Sequence, residues 1–404
     1  MGTPKPPLAK NVIPLIAGTL KQSDDMSDRA ISSAMITIIG AGVIGLAVAA
    51  QLAGRGREVY LLERNETFGR ETSSRNSETI HAGIYYPEGS LKAETCVAGN
   101  TLIYDLCQRY SIGHRKTGKL IVATDDEGIG KLEALLWQGR RNGAKDLAML
   151  SRKETKELEP NVEAVAAIFS PSSGTVDSHA LMRCFLSKAQ EEGARIAYKS
   201  NVIGINRLSD GYEVTVDDGS GSFSFRTEVL INSAGLNSDK VAELAGIDIY
   251  RTGYKLFYCK GEYFSVGNRK NKLIKRLVYP VPQLSTGGMG IHATLDVEGR
   301  MRLGPNARYI DEIDYKVDEA QKEFFYRSVK DFLPFIEDDD LEPEMAGIRP
   351  KLQGPGDGFR DFVITHEQEK GLPGFINLIG IESPGLTSAP AIARYVDTMV
   401  SEML

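Results

Sequence analysis

Ile36-Thr-Ile-Ile-Gly40-Ala-Gly42-Val-Ile-Gly45 is the stretch on which the fold turns. Four β-prone residues run into three glycines at G-x-G-x-x-G spacing, and nearly all residues from there to Ala53 are apolar. The pattern predicts a strand at Ile36–Ile39, a tight turn and a helix over Val43–Ala53. Gly40 makes the turn, Gly42 lets the backbone approach a pyrophosphate, and Gly45 lets helix and strand pack closely. The helix start, at Val43 and Ile44, offers free N–H groups and the positive end of the helix dipole to the phosphates. A second strand, Glu58–Leu62, leads into Glu63 and Arg64. An acid there suits a ribose hydroxyl and disfavours a 2′-phosphate, which argues against NADP. The motif alone does not choose between NAD and FAD.

The remainder of the chain is consistent with a globular protein. Its 404 residues exceed one ordinary domain and suit two. A hydrophobic share of 42% can bury a large core, and a formal charge of -6 argues against a nucleic-acid surface. The densest basic stretch, Asn268–Arg276, reads as a solvated loop and strand edge. Cys96, Cys107, Cys184 and Cys259 are scattered, which excludes a disulfide framework or a zinc site and fits a reducing compartment. No metal is expected. The run Ile31–Gly54 carries no charge and is long enough for a membrane span. Its glycines and the strand that follows favour a buried strand and helix instead. Residues 1–34 are rich in proline with mixed charge, and are expected to be a disordered extension outside the fold.

Further elements follow from periodicity: helices at Leu91–Tyr110, Gly128–Asn142, His179–Glu192, Asp318–Leu333 and Thr387–Met403, and a strand at Lys119–Thr124. Strands are also expected at Arg195–Tyr198, Asn201–Leu208, Tyr212–Val216, Ser222–Arg226, Val229–Asn232 and Phe375–Ile379. Strand–glycine signatures fall at the start, middle and end, with β-rich sequence between. One domain is therefore expected to be assembled from separated pieces, with the other inserted into it.

The segment Glu71-Thr-Ser-Ser-Arg-Asn-Ser-Glu-Thr-Ile-His-Ala-Gly-Ile-Tyr-Tyr-Pro-Glu-Gly-Ser-Leu-Lys-Ala93 closely resembles one in the L-2-hydroxyglutarate dehydrogenases and oxidases. It is similar, more loosely, to flavin glycerol-3-phosphate dehydrogenases; both belong to the D-amino-acid-oxidase-like flavoprotein superfamily. The likeness continues through Gly174–Asp177, Ile231–Leu236, Gly290–Asp296, Gly304–Asn306 and Gly347-Ile-Arg-Pro350, and extends over nearly all of Met35–Leu404. At Ser383-Pro-Gly-Leu-Thr387 the chain departs from the Ser-Pro-Ala-Ala-Thr common in the hydroxyglutarate enzymes.

The resemblance implies FAD as cofactor and an α/β fold: a discontinuous Rossmann-like three-layer FAD-binding domain with an inserted α+β mixed-sheet substrate domain. The expected division is 35–86, 172–245 and 345–404 for the FAD-binding domain, and 87–171 and 246–344 for the substrate domain. Thr72, Ser73, Arg75, Asn76 and Ser77 supply donors for a pyrophosphate and a polyol. Val202, Ala234, Gly235 and Gly347 are expected at the cofactor through backbone contacts. Gly380, Ser383, Gly385, Leu386 and Thr387 are expected at a second helix N-terminus facing the flavin. The reaction so implied is hydride transfer from C2 of a 2-hydroxy acid to flavin N5, with L-2-hydroxyglutarate the first candidate. Arg349 is the expected carboxylate clamp, since its planar fork matches two oxygens. His81 and His292 are the candidate bases. The strand read around His292 favours that residue slightly, and His81 could instead tether FAD covalently. Lys351 is a candidate second cation for a dicarboxylate, with Tyr85, Tyr86 and Tyr258 as pocket walls. Electrons are expected to leave to a quinone or another carrier. The expected location is the cytoplasm, with at most peripheral association at the inner membrane face, or the mitochondrion in a eukaryotic source. The alternatives are an amine or amino-acid oxidase of the same superfamily and a flavin-binding protein without turnover.

Overall fold

A computed structural model describes residues 34–282 and 290–404. The expectation for residues 1–34 therefore lies almost wholly outside the described residues, as does part of the strand read around Gly288–Thr294. The glycine stretch forms the central strand Ala34–Ile39 and the helix Val43–Leu52. That strand pairs in parallel with Arg57–Leu62 on one side and with Val229–Asn232 on the other. The sheet continues to Arg195–Ala197 at one end and to Phe375–Ile379 and the antiparallel Val363–His366 at the other.

Side chains alternate across this sheet. Ile36, Ile38, Ile231 and Ile376 pack on one face under the helices Val43–Leu52, Leu91–Tyr110, Ser178–Glu191 and Gly385–Met403. Ile39, Leu230, Phe375 and Ile379 face the opposite way, onto Val214, Val216 and Phe225 of the antiparallel meander Asn201–Leu208, Gly211–Asp217 and Ser222–Thr227. Three layers result, as expected.

The second domain is built on a nine-stranded mixed sheet with Phe257–Val266 near one end and Lys119–Ala123 among its central strands. Two expected boundaries differ from the packing. The helix Leu91–Tyr110 lies against the C-terminal helix, and its Ile103 and Cys107 share a core with Ile38 and Ile392, so the first crossing to the second domain follows Tyr110 rather than residue 87. Residues 345–351 belong to the strand Leu341–Lys351, which pairs antiparallel with Phe257–Val266, so they complete the second sheet. That strand was not read from sequence because Pro343 and Pro350 interrupt it. Among the described residues it pairs on one side only, and an edge strand tolerates proline. The expected helix Asp318–Leu333 is a 3₁₀ turn, Glu319–Gln321, followed by a helix Lys322–Val329. Among the described residues, no helix is long and apolar enough to cross a membrane.

Candidate active site

The turn after the first strand needs glycine for two separate reasons. Gly40 has φ +101°, and a side chain on Gly45 would place its Cβ 1.9 Å from the Gly40 carbonyl oxygen. The helix that follows starts without a side-chain cap and without an acid in its first turn. Its Val43 N–H donates to Ser73 Oγ at 3.0 Å, which ties the loop Thr72–Ser77 to the helix start. Glu63 is buried and positioned by the backbone: Oε2 accepts from Ala41 N–H at 2.8 Å, and Oε1 accepts from the Asn65 N–H and side-chain amide.

A cavity of about 510 Å³ opens beside Glu63, lined also by Gly40, Arg64, Val202 and Ala234. Arg64 itself pairs with Glu71. A second cavity, about 720 Å³, is lined by Val43, Ile44, Arg75, Asn76, Ser77, Gly347, Ser383, Gly385 and Leu386. Gly42, Thr72, Ser73 and Gly235 border both, so the two form one elongated groove. The C-terminal helix Gly385–Met403 begins at the far end, again without a side-chain cap and with no acid in its first turn. Gly45, Gly380 and Thr387 do not line the groove. Gly380, at φ +70°, lies against Leu352, and Thr387 Oγ1 accepts from the His81 N–H at 3.0 Å.

The second cavity gathers His81, His292, Arg349, Tyr85 and Tyr86. Burial, then the Lys119 ammonium and His292, hold the His81 imidazole well below its ordinary value, so it is neutral near pH 7. Its Nδ1 is sealed from solvent and has no hydrogen-bond partner among the described residues, and Nε2 lies 3.4 Å from Ser383 Oγ. His292 sits just before the strand Ala293–Leu295 rather than within it, and stacks on Tyr279 with ring centroids 3.8 Å apart.

Both Arg349 amino groups donate to the Asn306 carbonyl at 3.3 Å, and Nη1 also lies 3.6 Å from Cys259 Sγ. Asn306 is fixed in turn by paired hydrogen bonds with the buried Glu262. Arg349 has no carboxylate within ion-pairing distance among the described residues. Two of the expected residues stand elsewhere. Lys351 is committed to Glu382 Oε1 at 3.2 Å, an oxygen it shares with Lys92 at 3.0 Å, and it does not line the cavity. Tyr258 donates to the Leu236 carbonyl and lines neither cavity.

Sequence reasoning missed Glu382, Tyr279 and Lys119. Burial alone would raise the Glu382 carboxyl, but Lys92, Lys351 and Arg349 outweigh it and hold the group ionised. One signal was available: Lys119 opens the apolar run Lys119-Leu-Ile-Val-Ala123, where a cation is out of place.

A groove running from the buried Glu63 carboxylate, past two helix N-termini, to imidazoles and a guanidinium suits an elongated dinucleotide whose reactive ring meets an acidic substrate. That is the design of a flavoprotein oxidoreductase. Residues 35–399 match the family described as FAD dependent oxidoreductase, and the chain belongs to it. It is 39% identical to the mitochondrial L-2-hydroxyglutarate dehydrogenase of Arabidopsis thaliana, over 89% of this chain and 82% of that protein. It is 28% identical to the L-2-hydroxyglutarate dehydrogenase of Escherichia coli, over 91% of this chain and 93% of that one. Among solved structures, L-alpha-glycerophosphate oxidase from Mycoplasma pneumoniae with FAD bound is similar, with TM-score 0.79, 28% identity and coverage of 91% and 94%.

Glu63→Gln should loosen FAD. The amide keeps one acceptor oxygen and turns an NH₂ group toward either the Ala41 or the Asn65 donors. A loss of about 1.5–3 kcal/mol, about ten- to a hundredfold in retention, is expected. Equilibrium dialysis measures it, and unchanged FAD affinity would remove Glu63 from the ribose contact.

Proposed function

We propose that this chain oxidises L-2-hydroxyglutarate to 2-oxoglutarate and passes the electrons to a quinone or another carrier, with at most peripheral membrane contact. The observation that carries the reading is the Arg349 guanidinium, with no carboxylate within ion-pairing distance among the described residues, in one cavity with a neutral imidazole. The names of the relatives supply the particular acid. Arg349 clamps the C1 carboxylate through its planar fork. The His81 imidazole takes the hydroxyl proton at Nε2, since Nδ1 is sealed among protein atoms. FAD, when bound, supplies the acceptor for the hydride that leaves C2. The starts of the helices Val43–Leu52 and Gly385–Met403 would offer their positive dipole ends to its anionic parts. Tyr85, Tyr86 and Tyr279 wall the site and exclude water.

His81 is read as the base because burial and the Lys119 ammonium keep its imidazole neutral near pH 7 and so able to accept a proton. The experiment is anaerobic bleaching of the purified yellow protein, about one FAD per chain, against a panel of 2-hydroxy and 2-amino acids. L-2-Hydroxyglutarate should reduce it fastest. Reduction by glycine or sarcosine alone would turn the reading to amine oxidation. Acid precipitation should release the FAD; flavin kept in the pellet would indicate a covalent bond, with His81 as the candidate residue.

A further inference from the structure

Lys119 takes no part in the steps above, yet its position is unusual. It opens a strand in which every residue is buried, and its own exposure is 1%. Lys260 is equally buried and has Glu262 and Asp314 beside it. Lys119 has no carboxylate within ion-pairing distance among the described residues. Two aromatic faces hold it instead: its Nζ lies 4.6 Å from the Tyr85 ring centroid and 4.5 Å from that of Tyr279. Tyr279 also stacks on His292, and both tyrosines line the active-site cavity. The ammonium thus stands behind an aromatic wall whose open side carries both imidazoles.

We propose that Lys119 is a positioning residue for this reaction, a charge set behind Tyr85 and Tyr279 that opposes a second positive charge on the imidazole side of that aromatic wall. The proposal rests on the reading of His81 as the base. Among the described residues, Lys119 Nζ lies over the Tyr85 and Tyr279 rings, with His292 stacked on Tyr279 and His81 in the same cavity, and Cys96 and His81 interact with the ammonium electrostatically. None of them is an anion near neutral pH: burial holds both phenols above their ordinary range and pushes the Cys96 thiol up to about 12. Burial also brings the Lys119 ammonium down to about 7. Below that pH it is charged, and this is where an ordinary imidazole would begin to take a proton. Two like charges in one dry cluster oppose each other, so the repulsion acts in the pH range where the base needs it.

The test uses FAD-loaded, substrate-free protein with ¹⁵N-labelled histidine. The chain has only five histidines, and His81→Gln identifies the signal of interest. In the parent, His81 should stay neutral to well below the ordinary imidazole range. In Lys119→Met, which keeps length without charge, its titration should move up by about one unit or more. The acid limb of anaerobic flavin reduction should move with it, whereas a merely structural loss would lower the rate at every pH. A parent His81 that titrates normally overturns the proposal, even if the variant does not fold. An unmoved titration in Lys119→Met also overturns it. A titration that moves while the acid limb stays fixed overturns the base role of His81, and with it any catalytic use of Lys119.

Discussion

His81→Gln should slow anaerobic flavin reduction by about 10²–10⁴-fold, the usual worth of a positioned base. Gln is close in size and keeps the backbone N–H that donates to Thr387, so the start of the C-terminal helix should hold its place. Its amide cannot accept a proton at any working pH. FAD occupancy should therefore persist while the rate falls. The pH profile carries an independent sign. Because the His81 imidazole is held below its ordinary value, the parent rate should remain level as pH falls through 6.5 and decline only further down. His292→Gln should cost less, and part of its loss should reflect the Tyr279 stack. Stopped-flow reduction of both variants decides between them. A fast His81→Gln beside a slow, fully flavinated His292→Gln would return the base role to His292.

Arg349→Lys should lower kcat/KM by about 30- to 150-fold, corresponding to about 2–3 kcal/mol of transition-state binding. The charge survives the substitution, but the two parallel bonds to a carboxylate do not. The guanidinium also spans from the Asn306 carbonyl to Cys259, a reach a single ammonium cannot copy. Steady-state kinetics on 2-hydroxyglutarate, with FAD content and melting temperature measured alongside, separate the roles. Equal losses on substrates with and without the C1 carboxylate would make Arg349 a structural residue.

Local features of this fold were legible because their causes lie within a few residues. The helix Leu91–Tyr110 matched its expected bounds: Ser90 accepts from the Ala93 N–H at one end, and Ser111 adopts a left-handed cap at the other. The strand Val229–Asn232 and the final strand Phe375–Ile379 were equally readable, as short apolar runs ending near turn residues. The strand Leu341–Lys351 was not, since its prolines obey an edge position that only the assembled sheet defines.

At the site the division is sharper. Arg349 and Lys351 are two residues apart on one strand, so period two alone gives them the same face. Only the fold brings Glu382, from the loop before the last helix, onto Lys351 and leaves Arg349 without a carboxylate partner. His81 and Thr387 meet although 306 residues separate them. By itself the sequence determined the glycine turn, the acid after the second strand and the residue types of the loop Thr72–Ser77, because backbone sterics and side-chain chemistry are local. Tertiary structure alone decided which cations are neutralised, that the His81 imidazole is kept neutral, and that Lys119 stands behind the aromatic wall of the cavity. Those properties depend on burial and on charges brought together from distant segments, and no spacing along the chain encodes them.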